Sequence, residues 1–407
     1  MKIRLLKRLS AVILATVMAV GIVPVTYCAN DWTIGTIVVK AKTSGDFKYT
    51  LNGDGKSVTI TGYSGYETTL EIPDSIDGYS VTSIGKAAFS GCSWMSSIKI
   101  PNRVRSIGKS AFAGCYDLKS VTIPDGVKSI EDYTFDCCYA LKSVRIPDSV
   151  TSIGKSAFAG CGRLTSIKIP SSVRSMGKSA FSASGLKSIT IPNNVTSIKE
   201  SVFEDCYDLK SVKMGNRVKS IGKHAFLYCG ALKGIKIPNS VTSIGEGAFQ
   251  NCTSLKSIKI PNRVRSIGRQ AFDGCSRLKS SIKIPNSVRS IGIGAFDECR
   301  SIKSVKIGNG VTRIRSMFYH CYKLRTITIG KNVSKIESGA FGGKCSATKL
   351  ILKTKKLKMN TVRDSLYDSK VKTIKVEVGK KATNRQYVKK YKKIFTKKNA
   401  GKQVTVK

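Results

Sequence analysis

Residues 232–252 read LKGIKIPNSVTSIGEGAFQNC, and residues 255–275 repeat the pattern as LKSIKIPNRVRSIGRQAFDGC. The unit recurs about a dozen times, and its phenylalanines follow at steps of 23 residues, with single departures to 22 or 24: Phe89, Phe112, Phe135, Phe158, Phe181, Phe203, Phe226, Phe249, Phe272, Phe296, Phe318 and Phe341. Self-similarity at a period of roughly 20 to 50 residues indicates a solenoid, in which each repeat buries its apolar face against its neighbours. We therefore predict one elongated array of about 12 repeats over residues 80–345.

Each repeat contains a short segment in which apolar and polar residues alternate, such as residues 118–123, followed by Pro124. This alternation predicts a strand, and the proline ends it. Strands at this spacing are expected to form a parallel sheet along one side. On the return path, Gly108 and Gly154 are expected to relieve a turn, and residues 155–158 are too few for more than one turn of helix.

The strand pattern Leu-x-x-Ile-x-Ile-Pro, followed by Val-x-x-Ile-Gly-x-x-Ala-Phe-x-x-Cys, resembles the BspA-like class of leucine-rich repeats. The resemblance implies a leucine-rich-repeat solenoid, a right-handed superhelix of the β/α type with the parallel sheet on its concave side. It also implies a bacterial surface or secreted protein, and some such proteins bind host matrix proteins such as fibronectin and fibrinogen. An extra serine at Ser280-Ser281 and a shortened segment over residues 313–318 suggest local bulges.

The amino terminus places basic residues ahead of an apolar run from Ala11 to about Val23, which is the layout of a secretory signal peptide. We predict a signal peptide over residues 1–29, removed near Cys28. A transmembrane anchor is less favoured because the run is short. Lipoprotein cleavage ahead of Cys28 is also less favoured, because the bulky Tyr27 precedes it. The mature chain is expected to be secreted or cell-surface, with no integral membrane span.

Two flanking segments enclose the array. Within residues 30–79, alternating residues around Asn52-Gly53-Asp54-Gly55 predict a short β-hairpin that forms an N-terminal cap, with Asp54 as a turn residue more readily than a calcium ligand. Residues 346–407 carry 20 Lys and Arg against three acidic residues, and their pattern predicts strands and one helix. This segment resembles the lysine-rich α/β C-terminal cap of secreted family members. It ends without a sorting pentapeptide, so any envelope association is expected to be non-covalent.

The chain is strongly basic, with 70 Lys and Arg against 25 Asp and Glu and a net charge of +45. Such a field attracts polyanions of any kind. Outside a cell these are teichoic acids, acidic glycans, anionic lipid surfaces or released nucleic acid. Export argues against a specific nucleic-acid partner.

Ten of the 13 cysteines lie three residues after a repeat phenylalanine: Cys92, Cys115, Cys138, Cys161, Cys206, Cys229, Cys252, Cys275, Cys299 and Cys321. Equivalent side chains of a parallel stack point the same way, which disfavours disulfides between them, and Ser184 interrupts the series. Buried free thiols are therefore the favoured interpretation over disulfides. No Cys-x-x-Cys pair is present, so we expect no metal site and no cofactor.

Candidate catalytic residues are sparse. The histidines, His224 and His320, stand about four repeats apart, and only His320 beside Cys321 suggests a base and a nucleophile. Acidic pairs such as Glu131-Asp132 and Asp297-Glu298 would suit glycoside hydrolysis only within a shared cleft. We therefore expect a protein that is not an enzyme.

A basic array is the main candidate site. At the outward position of the strand, eight of 11 repeats carry a basic residue: Lys99, Arg145, Lys168, Lys213, Lys236, Lys259, Lys283 and Lys306. A second row of basic residues lies at the position where the chain enters each strand: Lys119, Lys142, Lys187, Lys210, Lys233, Lys256, Lys279, Lys303 and Arg325. Lysines often only solubilise a surface, but a solubilising face normally mixes signs, so these one-signed rows favour a polyanion-binding face.

These observations predict a secreted or surface-associated, non-enzymatic binding or adhesion protein. Its basic concave face would bind anionic polymers such as teichoic acid or an acidic glycan, or host extracellular-matrix proteins. A structural cell-envelope protein without a discrete ligand is the alternative, and a hydrolase is a distant third.

Overall fold

A computed structural model describes residues 24–27, 35–38, 41–279 and 281–407. Most of the signal peptide predicted over residues 1–29, namely residues 1–23 and the cleavage region at Cys28, lies outside the described residues, as does the extra Ser280. Two short strands near the amino terminus, β1 (Pro24–Tyr27) and β2 (Gly35–Val38), pair antiparallel.

An antiparallel sheet precedes the array, as the hairpin pattern predicted. Its strands are β3 (Lys42–Ser44), β4 (Phe47–Leu51), β5 (Ser57–Tyr63) and β7 (Ser75–Ile76). Asp54 Oδ1 accepts the backbone N–H groups of Lys56 and Ser57, each at 2.9 Å, which is the role of a turn residue. Strand β5 then pairs in parallel with the first strand of the array, so this sheet continues into the solenoid.

The array stacks its repeats as rungs, and two rows of parallel strands run along it. Row A follows the Leu-x-x-Ile-x-Ile segments: β6 (Thr69–Glu71), β9 (Ser97–Lys99), β11 (Ser120–Thr122), β13 (Ser143–Arg145), β16 (Ser188–Thr190), β18 (Ser211–Lys213), β20 (Gly234–Ile235), β23 (Ile282–Lys283), β25 (Ser304–Lys306), β27 (Thr326–Ile329), β29 (Lys349–Leu352), β30 (Thr373–Val376) and β31 (Thr405–Val406). No strand forms over residues 165–168 or 257–260, so row A consists of three hydrogen-bonded sheets.

Row B follows the Val-x-x-Ile-Gly segments after each proline: β8 (Tyr79–Ile84), β10 (Ser106–Ile107), β12 (Ser129–Ile130), β14 (Ser152–Ile153), β15 (Ser175–Met176), β17 (Ser197–Ile198), β19 (Ser220–Ile221), β21 (Ser243–Ile244), β22 (Ser266–Ile267), β24 (Ser290–Ile291), β26 (Arg313–Ile314) and β28 (Lys335–Ile336). Equivalent residues of successive rungs are register partners, as for Ser129 with Ser152. Row B strands are short because the next residue, often glycine, begins the return arm.

The return arm, which runs from row B to the ladder cysteine, closes each rung. The sequence allowed at most one turn of helix, and the family resemblance implied a β/α superhelix. Over residues 80–279 and 281–345, however, the structure contains no helix. Most arms turn through two left-handed residues, for example Tyr133 (φ 60°) and Cys137 (φ 58°), whereas the arm that ends at Cys321 has one, His320 (φ 55°).

Backbone hydrogen bonds between rungs hold these left-handed turns. The Tyr133, Phe135 and Cys137 N–H groups donate to carbonyl oxygens of the next rung at 2.7, 2.9 and 2.8 Å. The arms therefore form a third ladder beside rows A and B, although their left-handed residues exclude regular strands.

The expectation that Gly108 and Gly154 relieve a turn is wrong. Neither has a positive φ. A Cβ added to Gly108 would lie 2.7 Å from the carbonyl carbon of Gly85, and one added to Gly154 would lie 2.5 Å from the Asp132 nitrogen. Glycine is needed at these positions because the backbones of neighbouring rungs approach closely.

The repeat phenylalanines form the centre of the core. From Phe89 to Phe318 their rings stack in sequence, with centroids 5.2 to 6.1 Å apart. The two widest steps, Phe181 to Phe203 at 5.8 Å and Phe296 to Phe318 at 6.1 Å, are those where the repeat has 22 residues. A repeat that is one residue shorter therefore increases the distance between neighbouring rings but does not interrupt the stack.

The carboxy-terminal segment continues the solenoid. Strands β29, β30 and β31 extend row A in parallel. A 3₁₀ turn (Met359–Thr361) and the helices α1 (Lys381–Ile394) and α2 (Lys397–Ala400) accompany them. The hydroxyl of Tyr391 on α1 donates to the Thr354 carbonyl oxygen at 2.7 Å, which fixes the helix to the last rungs.

Candidate functional site

The outward side of row A, which we call the strand face, carries all eight residues of the predicted basic array. Each is exposed: Lys99, Arg145, Lys168, Lys213, Lys236, Lys259, Lys283 and Lys306. Their sequence neighbours on either side point into the solenoid, as Val144 and Ile146 do on either side of Arg145. The twofold alternation of a strand thus buries the apolar residues and exposes the basic ones.

Strand register places these cations along the solenoid axis. Lys283 is the register partner of Lys306, and Thr190 is the partner of Lys213. Successive rungs of a sheet lie about 4.8 Å apart. The strand face therefore presents positive charges at short, regular intervals.

The second predicted row is also exposed at all nine positions: Lys119, Lys142, Lys187, Lys210, Lys233, Lys256, Lys279, Lys303 and Arg325. Backbone bonds link consecutive members, and the Lys210 N–H donates to the Lys187 carbonyl oxygen at 2.9 Å. The structure therefore brings the two rows together beside each other.

Ion pairs divide the strand face into two parts. Lys99 pairs with Glu71, and Arg145 Nη2 lies 3.0 Å from Asp125 Oδ1. Among the described residues, none of the other six basic positions lies within 4.0 Å of a carboxylate oxygen. The part of the strand face from Lys168 to Lys306 thus presents cations without acidic partners.

Acidic residues lie elsewhere on the rung. From residue 209 to residue 345, every one of them falls on a return arm: Glu246, Asp273, Asp297, Glu298 and Glu337. Burial raises the pKa of Asp297 to about 6, although its Oδ1 accepts the Tyr319 N–H at 2.8 Å. Burial also raises the pKa of Asp273, despite hydrogen bonds from Gln250 and Gln270. Between residues 209 and 345 the acidic residues are therefore kept off the strand face, whereas the return arms carry both signs, as the pair of Lys223 Nζ and Glu246 Oε1 at 3.2 Å shows.

The one candidate pair for thiol catalysis is not assembled. His320 Nδ1 faces Glu298 Oε1, whereas the Cys321 thiol points into the core and donates to the Phe296 carbonyl oxygen at 3.2 Å. Burial raises the Cys321 pKa well above its usual range, which disfavours the thiolate needed for nucleophilic attack. His224 lies on another return arm and has a positive φ of 54°.

The ladder thiols are free and buried in the described chain. From Cys115 onward each donates to the carbonyl oxygen of a phenylalanine one rung back, as Cys138 does to Phe112 at 3.1 Å. In the repeat that has no ladder cysteine, Ser184 occupies the equivalent position, and its hydroxyl lies 3.3 Å from the Cys206 sulfur. Burial is the main cause that raises the pKa of Cys206 to about 11. These sulfurs therefore act as small core residues, and from Cys115 onward each bonds to a backbone carbonyl, with Ser184 as a second partner of Cys206.

Two surface features escaped the sequence reasoning. Exposed Tyr116 and Tyr139 stack with ring centroids 5.2 Å apart, because the same position of successive rungs carries tyrosine. Asparagines after the strand also bond between rungs: the Asn309 N–H donates to Asn286 Oδ1 at 2.8 Å. The recurrence of asparagine after the Ile-Pro or Ile-Gly pair was a visible signal for the second feature.

No helix within the described ranges has the length and apolar character to cross a bilayer. No group of three or more His, Cys, Asp or Glu side chains within them is arranged to hold a metal ion.

Comparison with known proteins gives one family and several solved relatives. The model of the BspA type leucine rich repeat region matches residues 63–184, 128–256, 176–281 and 242–374. A leucine-rich repeat protein from Bacteroides ovatus is 31% identical, with 83% of this chain and 99% of that one covered and a TM-score of 0.58. A leucine rich cell surface protein from Faecalibacterium prausnitzii is 29% identical, covers 87% and 97%, and has a TM-score of 0.51.

The pneumococcal vaccine antigen PcpA shares the fold at 20% identity, with 84% and 99% of the two chains covered and a TM-score of 0.55. Among curated proteins, none matches this chain.

Proposed function

The chain belongs to the BspA-type leucine-rich repeat family, and from this premise we propose that it is a non-enzymatic binding protein whose strand face holds anionic polymers. The family supports a protein-binding or surface role in general terms. The choice of an anionic ligand rests on this chain's own charges.

One observation carries the proposal. Lys213, Lys236 and Lys259 occupy consecutive rungs of an exposed face, and no carboxylate of the described chain pairs with them. Like charges about 4.8 Å apart repel one another. An anionic polymer along the solenoid axis would relieve that repulsion at each rung and release its own counterions.

A coat that only keeps the protein soluble is the competing interpretation. The acidic residues between positions 209 and 345 argue against it, because all five lie on the return arms. A solubilising surface gains nothing from this separation of signs, whereas a polyanion site requires it. A structural envelope protein without a discrete ligand would likewise not need it.

The location and layout that accompany this function are also proposals. A cell-surface relative supports a secreted or surface location after removal of residues 1–29. We propose the division into an N-terminal cap over residues 30–79, the array over 80–345 and a basic cap over 346–407. Right-handed coiling with row A on the concave side would place the polymer in a shallow groove. A host matrix protein with an acidic segment is a second ligand that the same charges would accept.

The experiment compares two variants with equal loss of charge. The face variant changes Lys213, Lys236, Lys259 and Lys283 to glutamine. The tail variant makes the same change at Lys389, Lys392, Lys393 and Lys398, which are exposed on the C-terminal helices. Binding of heparin and of glycerol-phosphate teichoic acid is measured across salt concentrations.

We expect the face variant to lose far more affinity than the tail variant and to flatten the salt dependence by up to about four ionic contacts. Equal losses in the two variants would mean that net charge alone binds the polymer, and the strand face would be rejected as the site.

A further inference from the structure

A depression of about 220 Å³ lies on the strand face near its carboxy-terminal end. Four lysines from different rungs line it: Lys283, Lys306, Lys331 and Lys353. Thr328 occupies the position where the row would continue with lysine, and its shorter side chain leaves the space open. The break in the predicted row is therefore also the place where a ligand group has room.

The rest of the lining adds hydrogen-bond donors. Asn286 Oδ1 accepts the Asn309 N–H at 2.8 Å, and Asn309 Oδ1 accepts the Lys331 N–H at 3.0 Å. These bonds use the amide oxygens and fix both side chains, so the Nδ2 groups remain as donors. The Thr328 hydroxyl is a further donor in the same lining.

No acidic residue lines the depression. Glu377 lies in the segment that connects β30 to α1. Its Oε1 is 2.7 Å from Lys375 Nζ, so it already has a basic partner. Within the described chain, none of the four lining lysines lies within 4.0 Å of a carboxylate. The four lysines thus have no direct ion pair, although the charge of Lys353 is among the causes that lower the pKa of Glu377, after its hydrogen bond with Lys375.

The floor of the depression is rigid backbone. Gly308 and Gly330 replace the proline that ends most row A segments. A Cβ on Gly308 would lie 2.4 Å from the Pro285 carbonyl oxygen, and one on Gly330 would lie 2.4 Å from the Gly308 oxygen. The rungs therefore approach closely here, and the Ile284 and Ile307 N–H groups donate to the Lys306 and Thr328 carbonyl oxygens, each at 2.9 Å, which holds the donors above them at a fixed spacing.

A second depression on the same face shows the contrast. It is lined by two cations, Lys213 and Lys236, together with Asn216, Asn239 and the apolar Met214, Ile237 and Pro238. Both depressions therefore offer two asparagine amides, and they differ in the number of cations. Two cations suit the passing backbone of a polymer, whereas four cations around one space suit a single compact anion.

We propose that the depression formed by Lys283, Lys306, Thr328, Lys331 and Lys353 is a discrete site for a tetrahedral oxyanion, a phosphate or sulfate group of a polymer held on the strand face. The site rests on the proposed function, since it names where that polymer is anchored. Lysine ammonium groups act as compact point charges toward phosphate. A tetrahedral group offers oxygens to donors on several rungs at once, whereas a planar carboxylate offers two in one plane.

The test uses Asn309→Asp, which keeps an oxygen for the Lys331 N–H but replaces the amide donor with a negative charge. Asn102→Asp is the matched control, because Asn102 has the same place in an early repeat and is exposed. Inorganic phosphate, sulfate and acetate are titrated at constant ionic strength, and the side-chain amide signals of the asparagines are followed by NMR.

We expect saturable phosphate and sulfate binding that shifts the Asn286 and Asn309 amides, with a Kd raised at least tenfold by Asn309→Asp and less than twofold by Asn102→Asp. The double variant Lys306→Gln, Lys353→Gln should weaken it more than Lys168→Gln, Lys259→Gln, which removes equal charge. Acetate affinity equal to that of phosphate, or equal effects of both variant pairs, would overturn the site.

Polymer binding is measured in parallel with polyphosphate and heparin, which distinguishes phosphate from sulfate as the source of the group. If the wild-type protein binds the polymers but small oxyanions give no saturable shift, the discrete site is wrong and the strand-face function stands. If neither polymers nor oxyanions bind, both proposals fail.

Discussion

The thiol of Cys252 donates a hydrogen bond to the carbonyl oxygen of Phe226, 3.2 Å away and one rung back. Burial raises the Cys252 pKa well above its usual range. The Cys252 sulfur is therefore protonated and can donate this hydrogen bond. Equivalent bonds from cysteine sulfur to phenylalanine carbonyl oxygen recur along the ladder at nearly the same length.

This bond predicts the reactivity of the cysteines. In a Cys28→Ser background, native protein should expose only Cys137, the one half-buried cysteine of the described chain, to a thiol reagent. Denatured protein should release all of them. The measurement is mass spectrometry of the labelled protein, and Cys137→Ser should remove the native signal. Disulfide-linked peptides in unreduced protein would contradict this prediction.

The phenylalanine stack predicts a large local cost for Phe226→Ala. Phe226 is fully buried, with ring centroids 5.3 Å from Phe203 and 5.2 Å from Phe249. Truncation should cost about 3–5 kcal/mol. Because stability in a solenoid lies in nearest-neighbour interfaces, hydrogen exchange should increase first in the adjoining rungs. Tyr207→Ala, at a 62% exposed aromatic, is the control and should cost far less. Uniform loss of protection would contradict the prediction.

Close approach of rungs predicts that Gly245→Ala destabilises the array. The new Cβ would lie 2.6 Å from the Gly222 carbonyl carbon and the Lys223 nitrogen, so the backbones must separate. We expect a loss of about 1–3 kcal/mol, measured by denaturant unfolding. Gly53→Ala is the control, since its Cβ would meet no atom within 4 Å. An equal effect of both substitutions would show that crowding between the rungs does not cause the destabilisation, and the prediction would be wrong.

The half-buried Asp297 predicts a pH effect. Its pKa is raised from 3.8 to about 6, so the folded protein binds the proton more tightly than the unfolded chain. The ionised carboxylate therefore destabilises the array above about pH 6, and that destabilisation is relieved as the pH falls toward 4. At pH 7.5 Asp297→Asn should be more stable by roughly 2 kcal/mol, because a shift of about two pKa units corresponds to about 3 kcal/mol and partial exposure to solvent reduces this value.

The difference in melting temperature between Asp297→Asn and the wild type should shrink as the pH falls from 7.5 to 4.5. Both proteins gain positive charge as the pH falls. Because this effect is common to them, it cancels in the difference between their melting temperatures. Asp208→Asn, at an exposed site, should show no such trend. A constant difference for Asp297→Asn across this range would contradict the assignment.

Much of the strand face could be predicted from the sequence. Apolar and basic residues alternate strictly along each strand segment, as in Val144, Arg145 and Ile146. Because successive side chains of a strand point to opposite faces, this alternation predicts which side each residue faces. The 23-residue repeat aligned these positions along one axis. Both inferences depend only on local geometry, and all eight predicted basic residues are exposed in the structure.

The return arms could not be predicted in the same way. Tyr133, Cys137 and His224 all have positive φ, although left-handed residues are usually glycine or asparagine. Bonds to the next rung impose this conformation, and such bonds leave no local signature. The pairing of Lys99 with Glu71 was also hidden, because Glu71 precedes the first full repeat.

Apart from the two breaks in row A, each rung bonds to its neighbours through the same three ladders, so most rungs along the middle of the array are structurally alike. Removal of a whole 23-residue unit would join two compatible surfaces and shorten the molecule by one step. The number of lysines offered to a polymer is thus an adjustable property of the gene, set by duplication or deletion of units. Avidity would change with that number while the chemistry of each step stays the same.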